Sequence, residues 1–161
     1  MIEVGDVAPD FELAIGPGRV VRLADLRGGP VALAFYGADW NPLCGDQLRL
    51  YSENLDSLNT HNACLVGISV DGPWSHPAYA EALSLRFPLA ADFEPKGAVA
   101  PSYGVYRDDD GVAEPALFVI DGTGRIAWNH VSPMDVNPGW DRGSRAGLGS
   151  RLGDSRRVWR L

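Results

Sequence analysis

The feature that most constrains the fold is an uninterrupted apolar run, VALAFY, at residues 31–36. A strand buried on both faces is apolar throughout, whereas a strand with one solvated face alternates apolar and polar residues. The run therefore predicts a central strand of an α/β sheet. A second such strand is predicted at residues 64–70, CLVGISV. Between them, a helix starting at Pro42 is predicted from apolar residues spaced by three and four, namely Leu48, Tyr51, Leu55 and Leu58.

The flanking pattern predicts a hairpin at each end of this unit. The N-terminal hairpin surrounds a Gly-Pro-Gly turn, and the C-terminal one surrounds the turn sequence DGTG. The expected elements are strands at 11–15, 19–23, 87–91, 116–120 and 125–131, and helices at 75–85 and after Glu94-Pro95. Strands that alternate with helices and end in a hairpin predict the α/β class, with a mixed central sheet flanked by helices and an N-terminal β-hairpin.

Length and composition predict one domain and a tail. A chain of 161 residues with 45% hydrophobic content can bury a substantial core. We predict a domain over residues 1–138, followed by a Gly/Arg/Ser-rich tail, 139–161, that has no sustained period and is expected to be disordered. A change of reading frame near Pro138 is an alternative origin for the tail.

The charge and the cysteine count exclude several function classes. A net charge of −7 argues against binding to nucleic acid or an anionic membrane. Acidic residues interrupt the N-terminus, so no signal peptide or membrane span is predicted. Two cysteines are too few for a disulfide scaffold, and a cytoplasmic location is therefore the expectation.

Cys44 lies where a helix is expected to begin. Asn41 is a preferred N-cap residue, and Pro42 is preferred at the first helical position. Free backbone N–H groups and the positive end of the helix dipole then face Cys44 and favour its thiolate. The carboxyl end of a central strand is also where open α/β sheets bind ligands. Cys44 is therefore the candidate nucleophile, and a buried structural cysteine is the alternative.

Cys64 is expected to be structural, because it opens an apolar strand with no cap or cation nearby. The helix after Cys44 carries the chain roughly 25 Å away, and the return strand has barely begun at Cys64. A disulfide requires α-carbons within about 7 Å. An intrachain bond between the two cysteines is therefore not expected, and reduction would depend on an external thiol.

Other polar residues are interpreted as structural. The histidines His61, His76 and His130 have no metal-ligand spacing, so no metal is predicted. Residues 108–110, DDD, are expected to form a solvated turn. For Trp74 and His76, a helix start with a packed tryptophan is favoured over a substrate or partner surface.

Five segments together resemble the peroxiredoxins, the alkyl hydroperoxide reductase and thiol-specific antioxidant family. They are VGDVAPDFEL, FYGADWNPLCGDQL, LVGISVD, FPLAADFEPKGAVAPSYGVY and ALFVIDGTGRI, and the likeness covers roughly residues 3–138. The resemblance implies a thioredoxin-like fold. It also implies that Cys44 corresponds to the peroxidatic cysteine, which attacks the O–O bond of a peroxide and becomes a sulfenic acid.

The resemblance also indicates three departures from the family pattern Pro-x-x-x-Thr-x-x-Cys and its later arginine. Gly37 stands at the proline, Asn41 at the threonine and Pro115 at the arginine. Asn41 keeps the helix cap and can donate a hydrogen bond through its amide, so it is included with Cys44 as a candidate catalytic residue. Arg107 is the nearest basic residue that could substitute for the missing cation, although a solvated surface role is favoured for it.

The predicted function is a one-cysteine thiol peroxidase for hydrogen peroxide or organic hydroperoxides, with impaired activity. It would need no cofactor. The predicted partners are a small-molecule peroxide and an external thiol reductant such as a thioredoxin-like protein; homodimerisation is left open. The alternative is a weak or inactive redoxin-like domain that acts in redox sensing or partner binding.

Overall fold

A computed structural model of the chain describes residues 2–134. Within them the strands are β1 (Glu12–Gly16), β2 (Arg19–Arg22), β3 (Val31–Phe35), β4 (Cys64–Ser69), β5 (Leu89–Ala91), β6 (Tyr106–Arg107), β7 (Val112–Ala113), β8 (Ala116–Ile120) and β9 (Ile126–Val131). The helices are α1 (Pro42–Glu53), α2 (Leu55–Asn59), α3 (Ser75–Ala82) and α4 (Val99–Tyr103), with a 3-10 helix at Leu23–Leu26.

Seven of these strands form one mixed sheet in the order β2-β1-β5-β4-β3-β8-β9. Strand β4 runs parallel to β3 and β5, whereas β8 pairs antiparallel with β3 and β9. The hairpin of β1 and β2 joins the other edge through an antiparallel bridge to β5. This mixed sheet with its N-terminal hairpin confirms the predicted α/β class.

Strand β3 explains why an uninterrupted apolar run was required. Successive side chains of a strand point to opposite faces of the sheet. Leu33 and Phe35 accordingly belong to one core cluster, while Ala34 and Tyr36 belong to the cluster on the other face. Every residue of β3 is buried, so a polar residue at any position of the strand would lie in a core.

The helix after β3 is shorter than the apolar stripe predicted. Asn54 ends α1, because its side-chain amide donates to the carbonyl of Leu50 at 2.8 Å and competes with continued helix. Leu55 and Leu58 still reach the core, but from the separate helix α2. The stripe predicted burial correctly, and the single continuous helix was wrong.

Other boundaries differ by a few residues. Helix α3 ends at Ala82 rather than near residue 85, and β5 is limited to three residues. The small hairpin of β6 and β7 was not predicted, because two-residue strands leave no periodic signal. Residues 108–110 form its exposed turn, as predicted.

The predicted boundary at residue 138 and the tail at 139–161 lie outside the described residues. Within residues 2–134, none of the helices has the length and apolar content needed to cross a bilayer. The fold places the start of α1 and the loop before α3 at the carboxyl ends of the neighbouring parallel strands β3 and β4.

Candidate active site

The first turn of α1 holds Cys44 as predicted. Pro42 is the first helical residue, and the Asn41 side-chain oxygen accepts hydrogen bonds from the backbone N–H groups of Leu43, at 2.9 Å, and Cys44, at 3.2 Å. The Asn41 carbonyl accepts from the N–H of Gly45 at 2.9 Å. The side chain of Cys44 is thus held at a capped helix N-terminus, where the helix dipole favours negative charge.

Cys44 is only 5% exposed, although it lies beside a surface loop. Gly37, the residue that follows Tyr36 at the end of the apolar run, is buried against it. Asn41 and Pro42 on the other side are exposed. A buried sulfur beside exposed residues suits a small reactant that must lose water before it reacts.

A buried polar network, which was not predicted, surrounds Asp39 in the loop that precedes Cys44. The Asp39 carboxylate accepts hydrogen bonds from the hydroxyls of Tyr36, at 2.8 Å, and Ser75, at 2.6 Å. It also lies 2.9 Å from Nδ1 of His76. The network ties the active-site loop to the start of α3, and so fixes the loop that carries Asn41 and Cys44.

The same network determines the ionisation of Asp39. Burial alone would raise its pKa, but the hydrogen bonds from His76, Ser75 and Tyr36 outweigh this effect and lower it. The backbone N–H of Asp39 also donates to Asp71 at 2.8 Å. The Asp39 carboxylate is therefore ionised and its negative charge is stabilised by the hydrogen bonds of this network. The other flanking acid, Asp46, is exposed and lies 3.5 Å from Arg49.

Tyr79 supplies a buried hydroxyl on the α3 side of the site. Its ring packs on Trp40 with centroids 5.0 Å apart, and among the described residues its hydroxyl has no hydrogen-bond partner. Burial, with the nearby charges of Cys44 and Asp39, raises the pKa of Tyr79 to about 12. Tyr79 also lines a surface cleft of about 340 Å³ with Trp40, Asn41 and Arg49. The phenol is thus neutral near pH 7.

Cys64 lies at the opposite end of the sheet. It pairs with Val31, the first residue of β3, whereas Cys44 lies in the first turn of α1, the helix that follows the other end of that strand. Both cysteines are free. Burial raises the pKa of the Cys64 thiol to about 11. The prediction that these two thiols cannot meet in the folded chain is therefore confirmed.

The structure does not bring Arg107 to Cys44. Its guanidinium lies 2.5 Å from Asp110 and 3.5 Å from Glu114, and within residues 2–134 it makes no bond to the cysteine. Pro115 is buried and its carbonyl accepts from Ser132 N–H at 2.8 Å. Neither position supplies a cation to the sulfur.

The three histidines lie in different environments. His76 is buried in the Asp39 network, whereas His130 approaches Ser132 at 3.1 Å on β9. No group of three or more His, Cys, Asp or Glu side chains suited to a metal occurs in the part of the chain that the structure describes. The helix start at Ser75 is as predicted, but the expected packing of Trp74 is wrong, because this side chain is 78% exposed.

Comparison with known proteins identifies the family. The AhpC/TSA family model matches residues 4–129. The chain belongs to this family, the peroxiredoxins.

The alignments with similar proteins extend over most of this peroxiredoxin. Alkyl hydroperoxide reductase E of Mycobacterium bovis is 34% identical over 127 residues, which are 78% of this chain and 83% of the relative. Peroxiredoxin-2 of Bos taurus is 30% identical over 152 residues, covering 88% of this chain and 75% of the relative.

Solved structures confirm the thioredoxin-like fold. The crystal structure of peroxidoxin BcpB from Mycobacterium tuberculosis has a TM-score of 0.82 at 29% identity and covers 94% of this chain and 99% of its own. That of Enterococcus faecalis AhpC has a TM-score of 0.81 at 26% identity, covering 98% and 100%. Membership of this family supports a thiol-dependent peroxidase activity in general.

Sequence reasoning missed the polar residues of this peroxiredoxin that act through long-range contacts. Asp39 and His76 are 37 positions apart, and Tyr79 is 35 positions from Cys44 in the chain. A signal was present: polar residues occur in the segments that follow two adjacent parallel strands, and such segments meet at one edge of a sheet. Asp39 and His76 both fit that rule.

Proposed function

We propose that this chain reduces hydrogen peroxide or organic hydroperoxides at Cys44, as a one-cysteine peroxidase. The observation that carries the proposal is the position of Cys44 in the capped first turn of α1, at the carboxyl end of β3. Cys64 lies at the other end of the same strand pair, which supports the proposal that it does not resolve an oxidised Cys44 within the same chain. One thiol is therefore available for the chemistry.

The oxidation step of the proposed reaction needs only the thiolate, the peroxide and a proton for the leaving oxygen. The Cys44 sulfur forms a bond to the terminal oxygen of the hydroperoxide while the O–O bond breaks. Sulfur is oxidised by two electrons to a sulfenic acid, and the departing oxygen takes a proton and leaves as an alcohol or water. An external thiol then attacks the sulfenic sulfur, water leaves, and a second thiol releases Cys44 from the mixed disulfide.

Asn41 is the proposed positioning group for the peroxide. Its side-chain oxygen is occupied by two backbone N–H groups, which leaves the amide nitrogen as the group that would donate to the peroxide. An amide N–H can donate to a peroxide oxygen, although it cannot accept and donate through one atom as a hydroxyl does.

The proposed activity is impaired because, within residues 2–134, no cation is bonded to the sulfur. Arg107 is engaged by Asp110 and Glu114, and Pro115 carries no charge. Loss of one preorganised donor at an active site lowers rates by about a hundred- to a thousandfold. The same observation favours the alternative candidate, a catalytically inactive redoxin-like domain that acts in redox sensing or partner binding.

The proposed partners follow from the single thiol. A sulfenic acid without an internal resolving thiol requires an external reductant, for which a thioredoxin-like protein in a reducing, cytoplasmic compartment is suited. A homodimer is the oligomer that we propose, and sedimentation of the full chain tests it.

Stopped-flow oxidation by hydrogen peroxide tests the function. We would follow tryptophan fluorescence, because Trp40 packs beside the site, and locate the sulfenic acid with a dimedone probe. We expect labelling of Cys44 at a rate well above that of free cysteine. A rate equal to that of free cysteine at the same pH would reject the peroxidase and support the inactive redoxin-like domain.

A further inference from the structure

The space in front of Gly37 is occupied by groups from three parts of the chain. A β-carbon placed on Gly37 would lie 3.1 Å from the terminal methyl carbon of Met134, 3.7 Å from the Cys44 sulfur and 3.9 Å from the Ala113 carbonyl oxygen. The methyl group and the sulfur therefore both lie within contact distance of the point where a side chain at Gly37 would begin. The absence of a side chain at Gly37 leaves the room that the methionine uses.

The backbone that carries Met134 is anchored two residues earlier. Ser132 is 3% exposed, and its N–H donates to the carbonyl of Pro115 at 2.8 Å. The Ser132 hydroxyl also lies 3.1 Å from Nε2 of His130. The chain that leaves β9 is thus tied to the start of β8, and this tie delivers Met134 to the Gly37 side of the cysteine.

Methionine suits the position physically. Its unbranched thioether side chain fills irregular gaps and adjusts to neighbours more readily than a branched residue does. Met134 is partly exposed, whereas Cys44 is only 5% exposed, so the methionine lies nearer to solvent than the sulfur does. Water excluded from a reacting sulfur strengthens the electrostatic effect of the helix N-terminus on it.

We propose that Met134 is a specificity-determining residue, whose side chain covers the Gly37 side of Cys44 and limits the size of the hydroperoxide that reaches the sulfur. This inference rests on the proposed peroxidase function. Hydrogen peroxide passes beside the methionine, whereas a hydroperoxide with a bulky apolar group must displace it. Removal of the side chain therefore opens the site to larger substrates.

The test uses the full chain with Cys64→Ala, so that Cys44 is the only thiol. Met134→Ala is compared with Met134→Leu, which keeps the apolar volume, and with Val20→Ala, an exposed change on the opposite edge of the sheet. Circular dichroism establishes that each variant is folded. Alkylation by iodoacetamide and by the larger N-ethylmaleimide measures access to the sulfur without any peroxide chemistry.

Met134→Ala should raise the rate of Cys44 alkylation by N-ethylmaleimide by about tenfold, which is the lower end of the discrimination expected when a pocket changes by a small apolar volume. The rate of alkylation by the smaller iodoacetamide should rise less. The ratio of the cumene hydroperoxide rate to the hydrogen peroxide rate should rise in parallel. Met134→Leu and Val20→Ala should both match the parent.

Unchanged alkylation in folded Met134→Ala would overturn the assignment of Met134. Faster alkylation in a protein that no hydroperoxide oxidises would instead overturn the peroxidase function, and with it the role of Met134 toward hydroperoxides. A further variant, Gly37→Ala, should lower access to the sulfur more strongly in the parent than in Met134→Ala, because its new methyl group would lie 3.1 Å from the Met134 methyl carbon as well as 3.7 Å from the sulfur.

Discussion

The two cysteines occupy opposite ends of one pair of parallel strands. The backbone N–H of Cys64 donates to Pro30 within the sheet, at 3.1 Å, whereas that of Cys44 donates to the Asn41 cap. Burial within the sheet raises the Cys64 pKa to about 11, and the Cys44 side has a helix N-terminus instead. Neither side chain is exposed, so the proposed difference in reactivity rests on the end of the strand pair at which each thiol lies, rather than on exposure.

The largest expected effect comes from removing the Cys44 sulfur, with removal of the Cys64 sulfur as the control. Cys44→Ser should abolish peroxide reduction, because serine is no comparable nucleophile, whereas Cys64→Ala should leave the rate nearly intact. The measurement is steady-state peroxide consumption with a small thiol as reductant. Equal losses of the peroxide consumption rate from the two substitutions would contradict the proposed difference between Cys44 and Cys64.

The second expected effect comes from adding a cation to the Cys44 end. Pro115→Arg should increase the thiolate fraction at Cys44 and accelerate peroxide reduction by up to about a hundredfold, the scale of one preorganised donor. The pH profile of iodoacetamide alkylation in a Cys64→Ala background measures the thiolate. Pro115→Met controls for side-chain size. No difference between the arginine and methionine variants would show that the missing cation does not limit the reaction.

The third effect concerns the acid that fixes the Cys44 loop. Asp39→Asn should lower the free energy of unfolding by about 3 kcal/mol at pH 7, because it disrupts a buried hydrogen-bonded pair with His76. Asp46→Asn, at an exposed position, should cost less than about 0.5 kcal/mol. Urea unfolding measures both.

The Asp39 contribution should also depend on pH. The folded-state pKa lies below the ordinary value of 3.8, so the carboxylate stabilises the fold fully above that value. Its contribution is lost as the pH falls through the lower folded-state pKa. The stability difference between the parent and Asp39→Asn should therefore shrink below about pH 4. A difference that stays constant to pH 2 would contradict the assigned ionisation.

The smallest effect expected comes from the cap itself. Asn41→Ala should cost about 1 kcal/mol of stability, and it should slow oxidation of Cys44 because two N–H groups lose their acceptor. Asn41→Ser retains a cap and should restore most of the stability. If Asn41→Ala changes stability but not the oxidation rate, Asn41 is a structural cap only.

Much of the fold was predictable because its signals are local or periodic. The apolar runs of β3, β4 and β8 indicate that both faces of these strands are buried, and the turn sequences locate the hairpins. Predictions were weaker where elements are short, as in the β6–β7 hairpin, and where a single side chain ends a helix, as Asn54 does.

For the site, the sequence by itself determined the capped first turn that holds Cys44, because a cap is formed by residues only two or three positions apart. Only the tertiary structure decided which distant groups surround that turn. Asp39 meets His76, and Met134 meets Gly37, because sheet order and strand register bring chain segments together across long separations. No local pattern records such meetings, since each residue alone is compatible with many neighbours.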